Sequence, residues 1–291
     1  MEKYLNDIDK KNTGLILEGG AMRGMYTAGV LDVFMENGIE FDGVIGVSAG
    51  AISGCSYVSG QKGRTIRYTK KYCKDKRYMS FYSFITTGDL VGNDFCYHVI
   101  PEKLDIFDHV SFKDSKMKFY VTCTNLETGE AEYIHLKDMT KEIDYMRASA
   151  SMPFVSRIVE IDGKKLLDGG CSDSVPVRKF MDMGYKKNVV ILTRPSDYRK
   201  KPEKTGLARL VYKKYPKFVK RLQTRSVAYN KMVEDIDYLE KEGKIFVIRP
   251  QTPLDIERMC HDVNKIEKAY QRGRTDALAS LNKMKEFLTM D

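Results

Sequence analysis

The stretch Phe41–Gly60, FDGVIGVSAGAISGCSYVSG, decides how the rest of the chain is read. Val44, Ile45 and Val47 make a short β-branched apolar run of the kind that forms a buried strand. It ends in the G-x-S-x-G pentapeptide Gly46-Val47-Ser48-Ala49-Gly50, and a helix fits from Ala49 to about Ser59. A serine held in a sharp strand-to-helix turn needs neighbours without side chains if a carbonyl is to reach its Oγ. Gly46 and Gly50 meet that need. With Gly54 at the same spacing, these glycines equally suit a helix packed close on its neighbours, whatever Ser48 does.

Upstream, Gly14–Leu17 reads as the first strand and runs into Glu18-Gly19-Gly20-Ala21-Met22-Arg23-Gly24 before an amphipathic helix of about Met25–Glu36, closed by Asn37-Gly38. A glycine-rich turn between a strand and a helix N-terminus gathers several backbone N–H groups, backed by the positive end of the helix dipole. Such a nest binds an anion. A dinucleotide pyrophosphate is one reading, met only loosely because Ala21 stands where the fingerprint has its second glycine; no P-loop lysine follows. An oxyanion hole for acyl transfer is the other. In a doubly wound parallel sheet, adjacent strands would bring this nest and Ser48 to one edge.

Downstream, helical periodicity fits Arg64–Lys74, and Tyr78, Phe81, Tyr82 and Phe84 form an aromatic cluster. Lys116–Thr124 and Glu130–His135 read as a hairpin, Lys141–Ser149 as a helix, and Arg157–Ile161 with Lys164–Leu167 as a hairpin turned by Asp162-Gly163. That second strand runs into Asp168-Gly169-Gly170. An acid at the C-terminal end of a strand sits where a doubly wound sheet keeps its chemistry, and a plain turn residue is the competing reading. Pro176–Met183 reads as a helix and Asn188–Thr193 as a fully buried strand. Further helices are expected over Ser226–Glu242 and Val263–Leu288, with a strand at Ile245–Ile248. No recognisable chemistry stands out in this last third.

With 291 residues, 42% of them hydrophobic, the chain can bury a sizeable core. Its net charge of +9 favours acidic partners. The excess is concentrated. Lys62–Arg77 holds eight Lys and Arg against Asp75, and Arg199–Arg225 holds eleven against Glu203. Leu207, Leu210, Val211, Phe218, Val219 and Leu222 follow one face of a helix interrupted near Pro216. Each basic stretch reads either as a solvated face or, beside its apolar residues, as a contact with anionic lipid. No nucleic-acid-binding motif accompanies them. The six cysteines show neither C-x-x-C pairs nor zinc-ligand spacing, and read as reduced thiols of a cytosolic protein. Residues 1–12 are charged and carry no secretory signal. The charge-free window Gly43–Gln61 is long enough to span a membrane, but nine of its nineteen residues are Gly or Ser, which argues for buried globular structure.

The three glycine-bearing motifs, around Gly19–Gly24, Ser48 and Asp168, occur in this order and each at a strand end. Together they resemble the patatin-like phospholipase family, over about residues 14–193. The resemblance implies a three-layer α/β/α sandwich with a mostly parallel central sheet. It implies an oxyanion loop of Gly19, Gly20, Ala21, Met22, Arg23 and Gly24, Ser48 as nucleophile between the elbow glycines Gly46 and Gly50, and Asp168, followed by Gly169 and Gly170, as base of a Ser-Asp dyad. Ala21 departs from the commoner G-G-G-x-R-G form but keeps its backbone N–H. The implied substrate is a lipid or phospholipid acyl ester, hydrolysed without metal or cofactor. One domain, 1–291, is expected, with 14–193 as catalytic core and about 199–242 as a basic helical cap, in a cytoplasmic protein peripheral to the membrane.

For such a dyad to work, burial must raise the proton affinity of Asp168, since an exposed aspartate is a weak base. Each amide of the loop facing the carbonyl oxygen would contribute roughly 3 kcal/mol to the transition state. Two other readings stay open: a non-catalytic lipid-binding protein, and a Ser-Asp-His esterase, for which His261 alone fits the order along the chain and His98, His109 and His135 do not.

Overall fold

The computed structural model describes residues 13–290; segment 1–12, on which the secretory-signal reading falls, lies outside them. In chain order, β1 (Thr13–Leu17) leads through a 3-10 turn (Ala21–Arg23) into α1 (Gly24–Glu36), and β2 (Gly43–Val47) into α2 (Ala49–Val58). Next come α3 (Arg64–Tyr72), α4 (Phe81–Thr87), a π-helical segment (Phe95–Leu104) and α5 (His109–Asp114). The hairpin β3 (Lys118–Asn125) and β4 (Ala131–Leu136) is followed by α6 (Met139–Ser149), β5 (Val159–Ile161), β6 (Lys164–Asp168) and α7 (Val177–Asp182). The chain closes with β7 (Lys187–Ile191), α8 (Gly206–Val211), α9 (Pro216–Lys241), β8 (Ile245–Ile248) and α10 (Val263–Thr289).

The central strands β1, β2 and β7 are almost wholly buried, which is why they read as continuous apolar runs. They pair in parallel, β2 with β1, β1 with β7 and β7 with β8, and β3 adds in parallel to β2. The pleat divides the side chains into two cores. Leu15, Leu17, Val44, Val189 and Ile191 face α1, α2, α6 and α10; Ile16, Ile45 and Val190 face Phe180 of α7 and Ile236 and Leu239 of α9. The result is the three-layer α/β/α sandwich with a mostly parallel sheet.

The antiparallel part of the sheet positions Asp168. Thr124 pairs with both Ala131 of β4 and Leu167 of β6, and Val121 with both Gly46 of β2 and Ile134 of β4. A strand has two edges, so β2 and β6 share the edge opposite β4, one after the other. They meet end to end: Val47 pairs with Thr122 and Asp168 with Cys123.

Several expectations are corrected. The stretch expected as a cap is divided: α9 runs unbroken through residue 226 and its C-terminal half forms part of a sandwich layer. The interruption expected near Pro216 falls at residues 212–215, between α8 and α9, and Pro216 itself opens α9, where a first-turn residue needs no N–H partner. The supposed single apolar stripe also splits, with Phe218, Val219 and Leu222 buried and Leu207, Leu210 and Val211 exposed. Much of the 62–77 charge is paired within the fold: Arg64 and Arg67 with Asp105, Lys70 with Glu267, and Arg77 with Asp75. The cysteines are free thiols, all buried except half-buried Cys96. No helix among the described residues is long and apolar enough to cross a membrane.

Candidate active site

Ser48 stands between β2 and α2 with φ 55° and ψ −121°, a conformation that a side-chain-bearing residue rarely adopts. The turn is held by contacts that leave no room for Cβ atoms at its glycines. A methyl on Gly50 would lie 2.5 Å from the Leu17 carbonyl oxygen, and one on Gly46 2.4 Å from Ala51 Cα. The backbone is also braced from a helix absent from the motif. Ser48 N–H donates to Ser149 Oγ (3.0 Å), whose own hydroxyl donates to the Thr122 carbonyl (2.7 Å).

Asp168 is buried and lines the same cavity as Ser48. Oδ1 accepts from Gly170 N–H (2.7 Å), and its backbone is tied at both ends, donating to the Ser151 carbonyl (2.8 Å) and accepting from Thr124 Oγ1 (2.8 Å). Burial pushes this carboxyl above the ordinary aspartate range, while the Ser48 hydroxyl, the Arg225 cation and the Gly170 amide pull it back.

The Gly19–Gly24 loop runs against the serine: a methyl on Gly19 would lie 3.1 Å from Ser48 Cβ and one on Gly24 2.8 Å from Ala49 Cβ. Its amides are not equivalent. Arg23 N–H donates to the Gly20 carbonyl (3.2 Å), and Gly24 N–H to the carbonyls of Ala21 and Met22. The amides of Gly19, Gly20, Ala21 and Met22 take no partner among the described residues. Ala21 adopts φ 49°.

Two cavities meet at Ser48. One, about 340 Å³, is lined by apolar side chains such as Met22, Met25, Ile52, Tyr68, Ile100 and Met146. The other, about 300 Å³, contains Asp168 and a set of cations. Ser48 and Ala21 border both. His261 borders neither; its Nδ1 bonds the Cys73 carbonyl. His98 and His109 line the apolar cavity, a placement no motif around them indicated. Among the described residues no group of three or more His, Cys, Asp or Glu could hold a metal ion.

The last third of the chain, expected to carry no chemistry, reaches this site. On α9, Arg225 Nε donates to the Gly170 carbonyl (2.8 Å) and the Tyr229 hydroxyl donates to buried Glu18 (2.7 Å), so one helix grips both motif loops. Glu18 also accepts from Thr193 N–H (2.6 Å) and Oγ1 (2.9 Å). Only the basic run hinted at Arg225; nothing in the sequence ties Tyr229 to residue 18.

Comparison with known proteins agrees with this architecture. A family model described as patatin-like phospholipase matches residues 15–181, and one described as a domain of unknown function (DUF6363) matches 215–289. The chain is 28% identical over 266 residues to the uncharacterised Escherichia coli protein YjjU, covering 89% of this chain and 74% of that protein. It is 27% identical over 179 residues to lysophospholipase nte1 of Aspergillus oryzae, covering 60% of this chain but only 11% of that much longer protein. In structure it is similar to VipD from Legionella pneumophila, with TM-score 0.50 and 13% identity, over 94% of this chain and 67% of the other. Since the first family model spans more than half of the residues, this chain belongs to the patatin-like phospholipase family and is a hydrolase.

Proposed function

We propose that this hydrolase cleaves lipid acyl esters through a Ser48–Asp168 dyad and a covalent acyl-serine. The observation that supports this most is the place of Ser48: in one cavity with a buried carboxyl, beside four unpartnered amides, on the border of an apolar cavity. The acyl chain lies in the apolar cavity. As Ser48 Oγ attacks the ester carbonyl, its proton passes to Asp168, whose burial has raised its proton affinity. The amides of Gly19, Gly20, Ala21 and Met22 are the candidates to hold the oxyanion. The tetrahedral intermediate collapses by breaking the ester C–O bond, and the departing alcohol takes the proton from Asp168. Water then attacks the acyl-serine and gives its proton to Asp168. Ser48 regains that proton as the fatty acid leaves.

Peripheral contact with an anionic lipid surface belongs to the same reading. Phe81, Tyr82 and Ile85 on α4 and Leu207, Leu210 and Val211 on α8 are exposed, the latter among exposed Lys204, Arg209, Lys213 and Lys214. Segment 153–157 links the two helices: Leu90 donates to the Val155 carbonyl (2.8 Å) and Phe154 N–H to the Tyr212 hydroxyl (2.8 Å). Pro153, Phe154 and Val155 line the cationic cavity.

A fluorophosphonate probe is expected to label Ser48 in the intact protein. Ser48→Ala should lower hydrolysis of a short nitrophenyl ester by about 10⁴-fold or more, and Asp168→Asn by about 10²–10⁴-fold, with unchanged circular dichroism. Labelling elsewhere, or full turnover in either variant, refutes the dyad. Vesicle binding without labelling or turnover would make the protein a lipid binder.

A further inference from the structure

The cationic cavity has more positive groups than its carboxylates can neutralise. Arg23, Arg194, Lys200, Arg225 and Arg258 line it, against Glu18, Asp168 and Glu203. The acids are already engaged: Glu18 accepts from Tyr229 and Thr193, Asp168 from Gly170, and Glu203 faces Arg225 at 3.7 Å. Arg23, Arg194 and Arg258 therefore have no carboxylate partner among the described residues. Nε of Arg23 and Nε of Arg194 are moreover buried without any acceptor. A desolvated donor left unpaired costs stability, and so does crowding like charges. Burial, then the neighbouring Arg194 cation, lowers the proton affinity of Arg23; burial, then Arg225, pushes the Lys200 ammonium down to about 8. Two of its members are nonetheless held in place. The Arg194 guanidinium lies 4.3 Å from the Tyr198 ring centre and Lys200 Nζ 4.9 Å from that of Tyr229.

We infer that Arg194, Lys200 and Arg258, with Arg23, form a subsite for the phosphate of an anionic glycerophospholipid headgroup. All of these but Arg23 are supplied by the chain beyond the patatin-like match. The inference rests on the reading of Ser48 as nucleophile, and adds which alcohol half of the ester is chosen. Guanidinium groups recognise phosphate through paired, charge-assisted N–H bonds, and phosphate oxygens supply the acceptors that the buried Nε atoms lack. With the acyl chain in the apolar cavity across Ser48, the leaving alcohol falls on the cationic side. All three carboxylates there are engaged, so none is left for a quaternary ammonium. A phosphate without a compensating cation is favoured over a choline ester. Arg258 belongs to the segment matched only to a domain of unknown function, which on this account acts as the headgroup reader of the hydrolase.

The test uses the full chain and monomeric substrates of one acyl chain, below micelle formation, so that membrane charge plays no part. Three are compared: a lysophosphatidate, a lysophosphatidylcholine and a monoacylglycerol. kcat/KM is expected to be at least tenfold higher for the lysophosphatidate than for either other ester. Arg258→Gln and Arg194→Gln should each cut the lysophosphatidate-to-monoacylglycerol ratio about tenfold, chiefly through KM, with unfolding temperature held as the control for folding. Glycerol 3-phosphate, titrated calorimetrically into Ser48→Ala, should bind, and binding should weaken about tenfold when Arg258→Gln is added. Equal turnover of the three esters, preference for the choline ester, or an unchanged ratio in the arginine variants overturns the subsite. So does inorganic phosphate binding as tightly as glycerol 3-phosphate with no effect of the variants, which would mark an adventitious ion site. Glycerol 3-phosphate binding that depends on Arg258, in a protein that turns over no ester, would uphold the subsite and defeat the hydrolytic dyad instead.

Discussion

At Asp168, burial and its neighbours pull in opposite directions, and the balance sets when the group can act as a base. A general base works only when ionised, so kcat/KM for a neutral ester rises with pH as Asp168 loses its proton. Because burial raises that pKa, the acidic limb is expected above the ordinary value of 3.8. Arg225 is one of the groups holding the carboxyl down, and Arg225→Gln should therefore shift the limb to higher pH. A pH–rate profile whose limb stays put or moves lower would assign it to another group. The residues themselves were legible because Ser48 and Asp168 lie in compact local patterns. Ser149 was not: its hydroxyl meets the Ser48 amide only because α6 is folded back over β3, 101 positions away in sequence.

At the scale of elements, α8 shows how periodicity can mislead. Leu207, Leu210 and Val211 continue the spacing of Phe218, Val219 and Leu222, yet the backbone leaves the helix after Val211 and restarts at Pro216. One set is left exposed and the other is buried. Burial of the second set against Leu126, Leu167 and Cys171 anchors α9 beside the site, and the first set is left exposed among lysines. If this face meets lipid, Leu207→Ser with Leu210→Ser should lower partition onto anionic vesicles about 30- to 150-fold, each leucine contributing about 1–1.5 kcal/mol. Sedimentation with vesicles measures this. Unchanged partition would assign α8 to solvent, and circular dichroism checks that the helices persist.

For the molecule as a whole, the closing helix is built into the sandwich. α10 crosses α1 at two glycines: a methyl on Gly29 would lie 2.1 Å from the Tyr270 carbonyl oxygen, and one on Gly273 2.0 Å from that of Tyr26. Two tyrosine–aspartate bonds lock the crossing, Tyr26 to Asp276 (2.9 Å) and Tyr270 to Asp32 (2.6 Å). Gly273→Val should force these backbones apart and cost about 1–3 kcal/mol or more, read as a lowered midpoint of thermal unfolding. A wild-type midpoint would mean that the two helices do not touch as described. α1 starts at the Gly19–Gly24 loop, so the same variant is expected to weaken the site that this loop helps to build.

What the sequence determined by itself were the features whose signal is local: buried strands written as apolar runs, glycines where backbones must approach closely, a serine and an aspartate at strand ends. Their physical cause lies within a few residues of each, and it can be read there. The tertiary structure alone decided the rest, because the cause is a contact between distant segments. β2 and β6 meet head to head on one edge of β3, α9 ties Glu18 to Gly170 through Tyr229 and Arg225, and five cations from four parts of the chain gather beside one serine. Charge counted along a chain says how much there is. Where it acts depends on which groups folding takes out of water together.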